Sequence, residues 1–394
     1  MRNNTHIRDY YCNYKFQCIK IDIEKRVIYN CDAAYPQHVD LNWIELNPGQ
    51  LFNTPLNVNE RGMMLSNTRN HSCENNCFKA EDVGAISPRI IRKGYEKTHF
   101  DTITHPKIVD ITLGSDCNLS CSYCTKEYSS AWRKDILNNG NYPVTIDDDR
   151  YQIDSKDLII HKLSQSKKNN TKHYKLILKE IELMTPHLQT VYITGGESLL
   201  NNNLFDILDS LSGVSEVKVF SGLGLSISRF EKFLSKLQKY KNVIIKLSCE
   251  NIGSYLEFNR YGIIWDQYKA KLDILNQFQI DYMFHSTLSN LSLFGYHEFL
   301  EYFSESKKEY DFVYKPDFMS PYVMDPKSKS DIIKLFENNP LPWSKHIIES
   351  LQPDPTMSQL QNLKTFVKEF TKRRNISILD TYPKHFVDWL DNVV

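Results

Sequence analysis

Hydrophobic and polar residues alternate along this chain with two different periods. Short segments rich in Val, Ile, Phe and Thr are typical of β-strands, and several are separated by stretches with apolar residues at helical spacing. Tyr174 and Ile177 share one such helical face, and Ile264, Tyr268 and Leu272 share another. Strands alternating with helices predict an α/β fold with a parallel sheet and right-handed crossovers. The predicted strands are Ile108–Leu113, Thr190–Thr194, Glu216–Phe220, Val243–Ser248, Ile280–Thr287 and Asp311–Lys315.

Composition narrows the class of protein. The 394 residues predict two or three domains, and 41% hydrophobic with 24% charged residues is ordinary for a soluble globular chain. The charges of the 48 basic and 48 acidic residues cancel, so the net charge gives no reason to expect nucleic-acid binding. No apolar run is long enough to span a membrane, and the polar start, Met1–Tyr14, lacks the apolar stretch of a signal peptide. A cytoplasmic location is therefore expected.

The nine cysteines predict metal sites. Without export, a disulfide framework is not expected, and thiolate ligands are the better interpretation. Cys117, Cys121 and Cys124 lie within eight residues, directly after the predicted strand Ile108–Leu113. Soft sulfur ligands suit iron–sulfur clusters, and three of them leave one metal corner open. A closed structural zinc site needs a fourth ligand, for which Cys249 or His105 is a candidate if folding brings it close.

With the aromatic Tyr123 before the third cysteine, this C-x3-C-x2-C motif resembles the signature of radical S-adenosylmethionine (SAM) enzymes. In that family the open iron of a [4Fe–4S] cluster binds the amino and carboxylate groups of SAM. One electron from the cluster then breaks the sulfonium bond, and the 5′-deoxyadenosyl radical removes a substrate hydrogen. The resemblance implies a partial (β/α)6 barrel with function at the carboxyl ends of the strands. It also implies an external electron donor such as flavodoxin or ferredoxin.

A second motif follows the predicted strand Thr190–Thr194. Gly195 and Gly196 let the backbone approach a ligand, and the Glu197 carboxylate can accept from an ammonium group. The motif is similar to the family's G-G-E-P, with Ser198 in place of Pro, and the family's role for it is to bind the SAM amino group. A plain strand-to-helix turn is the alternative interpretation.

Three more residues match the family in order along the chain. Ser221, before Gly222, occupies the place of the polar turn near the SAM ribose. Ser248 and Arg260 look like the residues that hold the SAM carboxylate, a pairing that suits the two-pronged guanidinium. A surface salt bridge is the alternative for Arg260. Relatives often carry Asp-Gly after the strand Ser, whereas this chain has Cys249-Glu250, and Cys249 is expected to be a buried core residue.

The N-terminal cysteines predict a second site. Phe16–Asp22 and Arg26–Asn30 form a hairpin pattern with cysteines on both sides of it. Two further cysteines follow later in the chain, and four such ligands suit a closed metal site. The arrangement resembles the twitch module, a shortened SPASM domain that binds an auxiliary iron–sulfur cluster. Cys18 is an alternative to the first ligand, and zinc is an alternative to the cluster. The predicted ligands are Cys12, Cys31, Cys73 and Cys77.

The sequence thus divides into an auxiliary-cluster domain over 1–98, a radical SAM core over 99–325 and a helical extension over 326–394. In the extension, Phe366–Arg374 is amphipathic with a solvated basic face, and we expect it to be a packing cap over the open barrel, with a nucleic-acid arm as the alternative. Residues 134–175 contain Asp147–Arg150 and the polar run Ser164–Lys175, which predict an active-site lid or a low-complexity insertion.

The function predicted from these motifs is a radical SAM enzyme with two [4Fe–4S] clusters. A peptide or protein side chain is the first expected substrate, and a nucleoside, nucleobase or small metabolite is the alternative. No membrane partner is expected. Two rival classes are a zinc-stabilised binding protein whose cysteines are all structural, and an iron–sulfur protein that binds SAM but only passes electrons.

Overall fold

The computed structural model describes residues 10–31, 35–82, 84, 87–91, 101–145, 150–153 and 172–393. Its longer strands pair mostly in parallel and alternate with helices, so the predicted α/β class is confirmed. The strands are β1 (Cys18–Asp22), β2 (Val27–Tyr29), β3 (Gln37–His38), β4 (Ile108–Thr112), β5 (Ser120–Cys121), β6 (Thr190–Thr194), β7 (Glu216–Ser221), β8 (Val243–Ser248), β9 (Arg260–Tyr261), β10 (Tyr282–Leu288) and β11 (Lys308–Phe312).

Helices fill the segments between the parallel strands and continue beyond the last of them. They are α1 (Leu41–Leu46), α2 (Pro55–Leu65), α3 (Lys79–Asp82), α4 (Pro88–Ile91), α5 (Ser130–Asn139), α6 (Lys172–Met184), α7 (Leu204–Ser210), α8 (Ile227–Leu237), α9 (Gly253–Asn259), α10 (Trp265–Gln277), α11 (Tyr296–Tyr302), α12 (Pro326–Asn338), α13 (Ser344–Ser350), α14 (Met357–Arg374) and α15 (Lys384–Asn392). Among the described residues, no helix is both long and apolar enough to cross a membrane.

The chain divides into two compact units. The first consists of the described residues of Met1–Gly114, Lys167–Gly195 and Asn201–Val219. Here β4 lies between β1 and β6, parallel to both, and β6 pairs in parallel with β7. Alternate residues such as Val109 and Ile111 are fully buried, which is the period-2 pattern of a strand with one face in a core. The antiparallel β1–β2 and β2–β3 pairs extend this sheet beyond β1.

The second unit contains Ser115–Ser166, Gly196–Leu200 and Phe220–Val394, again as far as they are described. In it β10 lies between β8 and β11, parallel to both, while β5 and β9 form a separate antiparallel pair. Phe284 of β10 packs edge-on against Phe299 of α11. This contact places one face of β10 against α11.

The units do not coincide with the three segments predicted from the sequence. The reason is the register of β1, in which Cys18 lies opposite Ile108 of β4. Residues from the predicted segment 1–98 therefore belong to the same sheet as strands from the segment 99–325. The segment boundaries, and closure of the strands into a partial barrel, stay predictions.

The predicted strands agree with the structure to within three residues. β10 begins two residues later than predicted, at Tyr282, and β11 begins three residues earlier, at Lys308. Ile264, assigned to the buried face of a helix, precedes α10 and is 53% exposed. The acidic run Asp147–Asp149 and residues 154–171, which include most of the polar run, lie outside the described residues.

Helix α14 packs as a structural element of the second unit. Phe366 and Phe370 on its buried face contact the ring of Trp132 in α5. At its C-terminal end Arg373 and Arg374 have side chains only 3% and 5% exposed, and both lie near the Asp135 carboxylate. Helix α14 thus packs on α5, whereas its role as a cap over an open barrel stays a prediction. The basic face is only partly solvated, because these two arginines are buried.

Candidate functional site

The cysteine motif forms a loop in the second unit, between β4 and α5. Three hydrogen bonds from α5 and its first residues hold the loop. Ser129 Oγ donates to Leu119 O at 2.8 Å, and Trp132 Nε1 donates to Cys121 O at 2.9 Å. Ser130 Oγ accepts from the amide of Cys117 at 3.0 Å. The start of α5 therefore fixes the backbone on which the cysteines are carried.

The three thiols of this loop are close enough to influence one another. Burial, and then the neighbouring Cys121, raises the pKa of Cys117 to about 12. Burial raises the pKa of Cys121 to about 11, and it raises that of Cys124 as well, with further contributions from Cys121 and Cys117. Thiolates here need a cation, because burial alone keeps the sulfurs protonated. Soft thiolate donors and a demand for positive charge fit an iron–sulfur cluster.

The Gly-Gly-Glu turn packs directly on the cysteine loop. A Cβ added at Gly196 would lie 2.5 Å from Asp116 O and 2.9 Å from Cys117 Cβ, so only glycine fits there. The next amide, of Glu197, donates to Asp116 O at 2.7 Å. Gly195 has a φ of +151°, and within the first unit its added Cβ would lie 2.8 Å from Gly114 O. The two glycines thus serve close backbone approach.

The carboxylate of Glu197 is buried and accepts four hydrogen bonds. Its Oε1 accepts from Ser221 Oγ at 2.6 Å and from the amide of Leu199 at 3.3 Å. Its Oε2 accepts from the amides of Gly222 at 2.9 Å and Gly224 at 3.2 Å. Burial raises the pKa of Glu197, against the opposing effect of these donors. Since a carboxylate has about four acceptor positions, a ligand ammonium would have to replace a donor, of which Leu199 is the most distant.

Ser221 therefore contacts Glu197, which sequence reasoning did not anticipate. This bond ties the turn after β7 to the Gly-Gly-Glu turn. Both Gly222 and Gly224 also approach the cysteine loop, since added Cβ atoms would meet Leu119 at 2.8 Å and Asn118 at 2.4 Å. The sequence signal was the weak Ser-Gly pattern alone.

Arg260 lies beside Cys121 and is paired with Glu250. Its Nε and Nη2 donate to Glu250 Oε2 at 3.0 and 2.6 Å, and its Nη1 lies 3.9 Å from Cys121 Sγ. Tyr123 donates its hydroxyl to the same carboxylate, 3.2 Å from Oε1 and 3.3 Å from Oε2. Burial opposes the charge of Arg260, but Glu250 holds its pKa well above the ordinary value. The predicted surface-bridge alternative is wrong, because this pair is buried.

Ser248 ends β8, in register with His285 of β10. His285 Nδ1 lies 2.7 Å from Glu309 Oε1, and Glu309 also pairs with Lys246. Burial, with Lys246 and Arg260, lowers the pKa of His285 to about 3, so its imidazole is neutral. Lys246 and Glu309 carried no signal in the sequence.

The N-terminal cysteines are distributed unequally in the first unit. Cys12, Cys73 and Cys77 are buried in one cluster with Phe16, Met64 and Phe78. Burial is the largest influence on these thiols and raises the pKa of each. Cys18 lies within β1, and Cys31 is buried just after β2.

A buried polar network borders this cluster. Lys15, which lies close enough to lower the pKa of Cys73, donates to Glu60 and Ser72. Asn30, the residue before Cys31, donates to Glu60 as well. The network thus leads from Cys73 to the chain at Cys31.

The suggested fourth ligands for the three-cysteine loop have other contacts. Cys249 is fully buried and donates to Asn251 O at 3.3 Å, which confirms the predicted core position. His105, in the first unit, stacks on His187 with ring centroids 3.7 Å apart. Within the described part of the chain, no three His, Cys, Asp or Glu side chains form a group that could hold a metal ion.

No family model and no curated protein matches this chain. Among solved structures, native anSMEcpe with bound AdoMet is 11% identical, over 63% of this chain and 63% of that one, with a TM-score of 0.39. Streptococcus suis SuiB bound to S-adenosylmethionine is 13% identical, over 68% and 48%, with a TM-score of 0.32. SuiB bound to the precursor peptide SuiA is 12% identical, over 92% and 70%, with a TM-score of 0.31. The first two matches span less than two thirds of those chains, and likeness this distant assigns no function.

Proposed function

We propose that this chain is a radical SAM enzyme whose catalytic [4Fe–4S] cluster is held by Cys117, Cys121 and Cys124. The proposal depends on one observation: three mutually interacting thiols lie on one loop against which the Gly-Gly-Glu turn packs. Three thiolates leave one iron open for the amino and carboxylate groups of SAM. When bound, the cluster and SAM supply a 5′-deoxyadenosyl radical that abstracts a hydrogen from the substrate.

The protein's own contribution is to hold and orient this cofactor. Gly195 and Gly196 allow the turn to approach it, and Glu197 holds Ser221 and its turn in place. Tyr123, in the cysteine loop, is linked to the buried pair of Glu250 and Arg260. The remaining residue in the proposed SAM set, Ser248, ends β8.

We further propose an auxiliary cluster in the first unit, bound by Cys12, Cys73 and Cys77 with Cys31 as fourth ligand. The burial of the first three in one core cluster supports it. The bond from Asn30 to the Glu60 network supports Cys31, because it holds the chain next to that cysteine near Cys73. Zinc is the competing occupant, since four thiolates suit either metal.

The substrate is proposed to be a peptide or protein side chain, with nucleosides and small metabolites as the next classes to assay. An external electron donor of the flavodoxin or ferredoxin kind, in the cytoplasm, belongs to the same proposal. Product analysis by mass spectrometry of peptide, nucleoside and metabolite mixtures, each with SAM and reductant, distinguishes these classes.

The decisive experiment uses protein purified and reconstituted without oxygen. Iron, sulfide and zinc are quantified, then dithionite and SAM are added and 5′-deoxyadenosine is measured. We expect about eight irons per chain and deoxyadenosine formation, as two four-iron clusters require. Four irons with zinc would keep the catalytic site and make the N-terminal site structural. Zinc alone with intact SAM would refute the proposal in favour of a zinc-stabilised binding protein.

A matched pair of variants locates the chemistry. Replacing Cys117, Cys121 and Cys124 together by Ala is expected to remove four irons and all SAM cleavage. Cys249→Ala also removes a buried thiol from the second unit, but it should leave both quantities near wild type. SAM cleavage that survives the triple substitution contradicts the cluster assignment. Deoxyadenosine that forms only with a partner protein would instead favour the electron-passing alternative.

A further inference from the structure

The ion pair of Glu250 and Arg260 is buried in the second unit, and one cysteine of the motif lies against it. The side chain of Glu250 is 0% exposed and that of Arg260 is 6% exposed. Two nitrogens of the guanidinium, Nε and Nη2, donate to a single carboxylate oxygen. The third nitrogen, Nη1, is the one nearest Cys121 Sγ, at 3.9 Å. The Arg260 guanidinium thus lies between the Glu250 carboxylate and the Cys121 sulfur and contacts both.

Three independent contacts fix this arrangement. The β5–β9 pair sets Cys121 directly opposite Arg260 in the backbone ladder. Tyr123 holds Glu250 through its hydroxyl, and its ring centroid lies 5.5 Å from the guanidinium carbon. The neighbouring Asn259, whose carbonyl accepts from the amide of Ser122, fixes the chain on the other side. Arg260 therefore has little freedom to turn toward another partner.

Glu250 also occupies one of the edges of Arg260 that can bind a carboxylate, the edge formed by Nε and Nη2. A guanidinium binds a carboxylate best through two parallel donors, and Nε with Nη2 form such an edge. Glu250 uses Nε and one proton of Nη2, so a second carboxylate, such as that of SAM, has only the outer edge formed by Nη1 and the other proton of Nη2. This chain has Cys249-Glu250 where relatives often carry Asp-Gly. The Glu250 carboxylate therefore binds Arg260, for which the resemblance implied a contact with the SAM carboxylate.

We propose that Arg260 and Glu250 are positioning residues that set the charge around the Cys121 sulfur, with Glu250 acting through Arg260. This inference rests on the proposed function, because it concerns the cluster that Cys121 would hold. Reduction potentials of iron–sulfur clusters depend on charges and hydrogen bonds near their sulfurs. In a buried site, where screening is weak, both effects are strong.

The two residues then have opposite effects on the cluster. Arg260→Gln removes a positive charge and a donor next to the sulfur and leaves Glu250 unpaired, so the midpoint potential shifts to more negative values. Glu250→Gln leaves the arginine charge uncompensated, so the potential shifts to more positive values. The double variant lacks both charges, and its potential returns toward that of the wild type. A role limited to folding gives no such reversal of sign.

The test is a potentiometric titration of the full, anaerobically reconstituted chain, followed by electron paramagnetic resonance without SAM. Iron and sulfide contents show that each variant still holds its clusters, and the signal of any N-terminal cluster serves as an internal control. Arg260→Lys keeps the charge but not the fork of donors, and we expect it to restore part of the shift. SAM affinity of each variant is measured separately by equilibrium binding.

Shifts of opposite sign, with the double variant between them, support the inference. Shifts of the same sign, or none, at intact iron content overturn it while leaving the enzyme class standing. A wild type that binds no iron or leaves SAM intact fails the proposed function first, so the two failures are distinguishable. If either charge variant loses iron, Tyr123→Phe is titrated in place of that variant. That change removes only the hydroxyl from Glu250 and is expected to shift the potential negative, and an unchanged potential overturns the inference.

Discussion

Trp132 links the cysteine loop to the C-terminal helices, and Trp132→Phe tests that link. The indole is fully buried, contacts Phe366 and Phe370 of α14, and donates from Nε1 to Cys121 O at 2.9 Å. Phenylalanine keeps an aromatic ring in the cluster but has no donor. The substitution therefore removes the hydrogen bond and part of the packing, and it leaves a buried carbonyl without that partner.

The size of the effect follows from these two losses. Leaving a buried polar group unpaired costs about 1–3 kcal/mol, and each lost apolar group adds about 1 kcal/mol. We therefore expect the free energy of unfolding to fall by about 2–3 kcal/mol. Iron retention at the cysteine loop should fall with it, since Cys121 is the residue whose carbonyl is released.

Urea unfolding followed by circular dichroism measures the first effect, and iron release to a chelator measures the second. Trp389→Phe is the matched control, because Trp389 of α15 is a partly exposed indole whose ring stacks on Phe386. We expect this control to lose less than 1 kcal/mol, as for a mild surface change. Equal losses in the two variants, or unchanged iron release in Trp132→Phe, would refute the link.

Three further outcomes are expected. Asp135→Asn should destabilise the chain by about 3 kcal/mol in urea, because it removes the carboxylate beside the nearly buried Arg374 and leaves Arg373 with Glu369 alone; a loss below 1 kcal/mol contradicts this. Glu180→Gln should cost about 1–3 kcal/mol, since the carboxylate accepts from two backbone amides, at 2.7 and 3.0 Å, and an amide side chain has only one acceptor; thermal unfolding checks it against Glu182→Gln. For His285, whose pKa is lowered to about 3, the folded chain binds fewer protons than the unfolded chain below pH 6.5. Stability should therefore fall as pH drops from about 6.5 to about 3, and His285→Gln should flatten that part of the profile.

The sequence predicts most of the strands and helices because their signal is local. Hydrophobic alternation over five or six residues, as in Thr190–Thr194, needs no knowledge of distant partners. The cysteine loop is predictable for the same reason, since its three ligands lie within eight residues. Its position after β4 follows directly from the strand that precedes it.

Contacts between distant residues were not predictable. Glu250 belonged to no sequence motif, yet its carboxylate holds Arg260. The β5–β9 pair brings Arg260 to Cys121, which lies 139 residues away along the chain. The pairing of β1 with β4 likewise depends on register, which hydrophobic pattern alone does not specify between parallel strands. The helix has a basic, solvated pattern in the sequence, but Arg374 is buried there because Tyr142 Oη accepts from its Nη1 and the Asp135 carboxylate supplies a counter-charge.

The cysteine loop and the helix that supports it lie far apart in the sequence, which has a consequence for biosynthesis. The cysteine loop and α5 are made early, but Arg373, which pairs with Asp135, follows 238 residues later. At about 5–20 residues per second of synthesis, the loop waits on the order of 10–50 s for its C-terminal support. During that interval the loop has its hydrogen bonds to the start of α5 but lacks the packing of α14 on Trp132. Cluster assembly at this loop is accordingly expected after release from the ribosome, and a chain truncated before α14 should be synthesised but remain unable to retain iron.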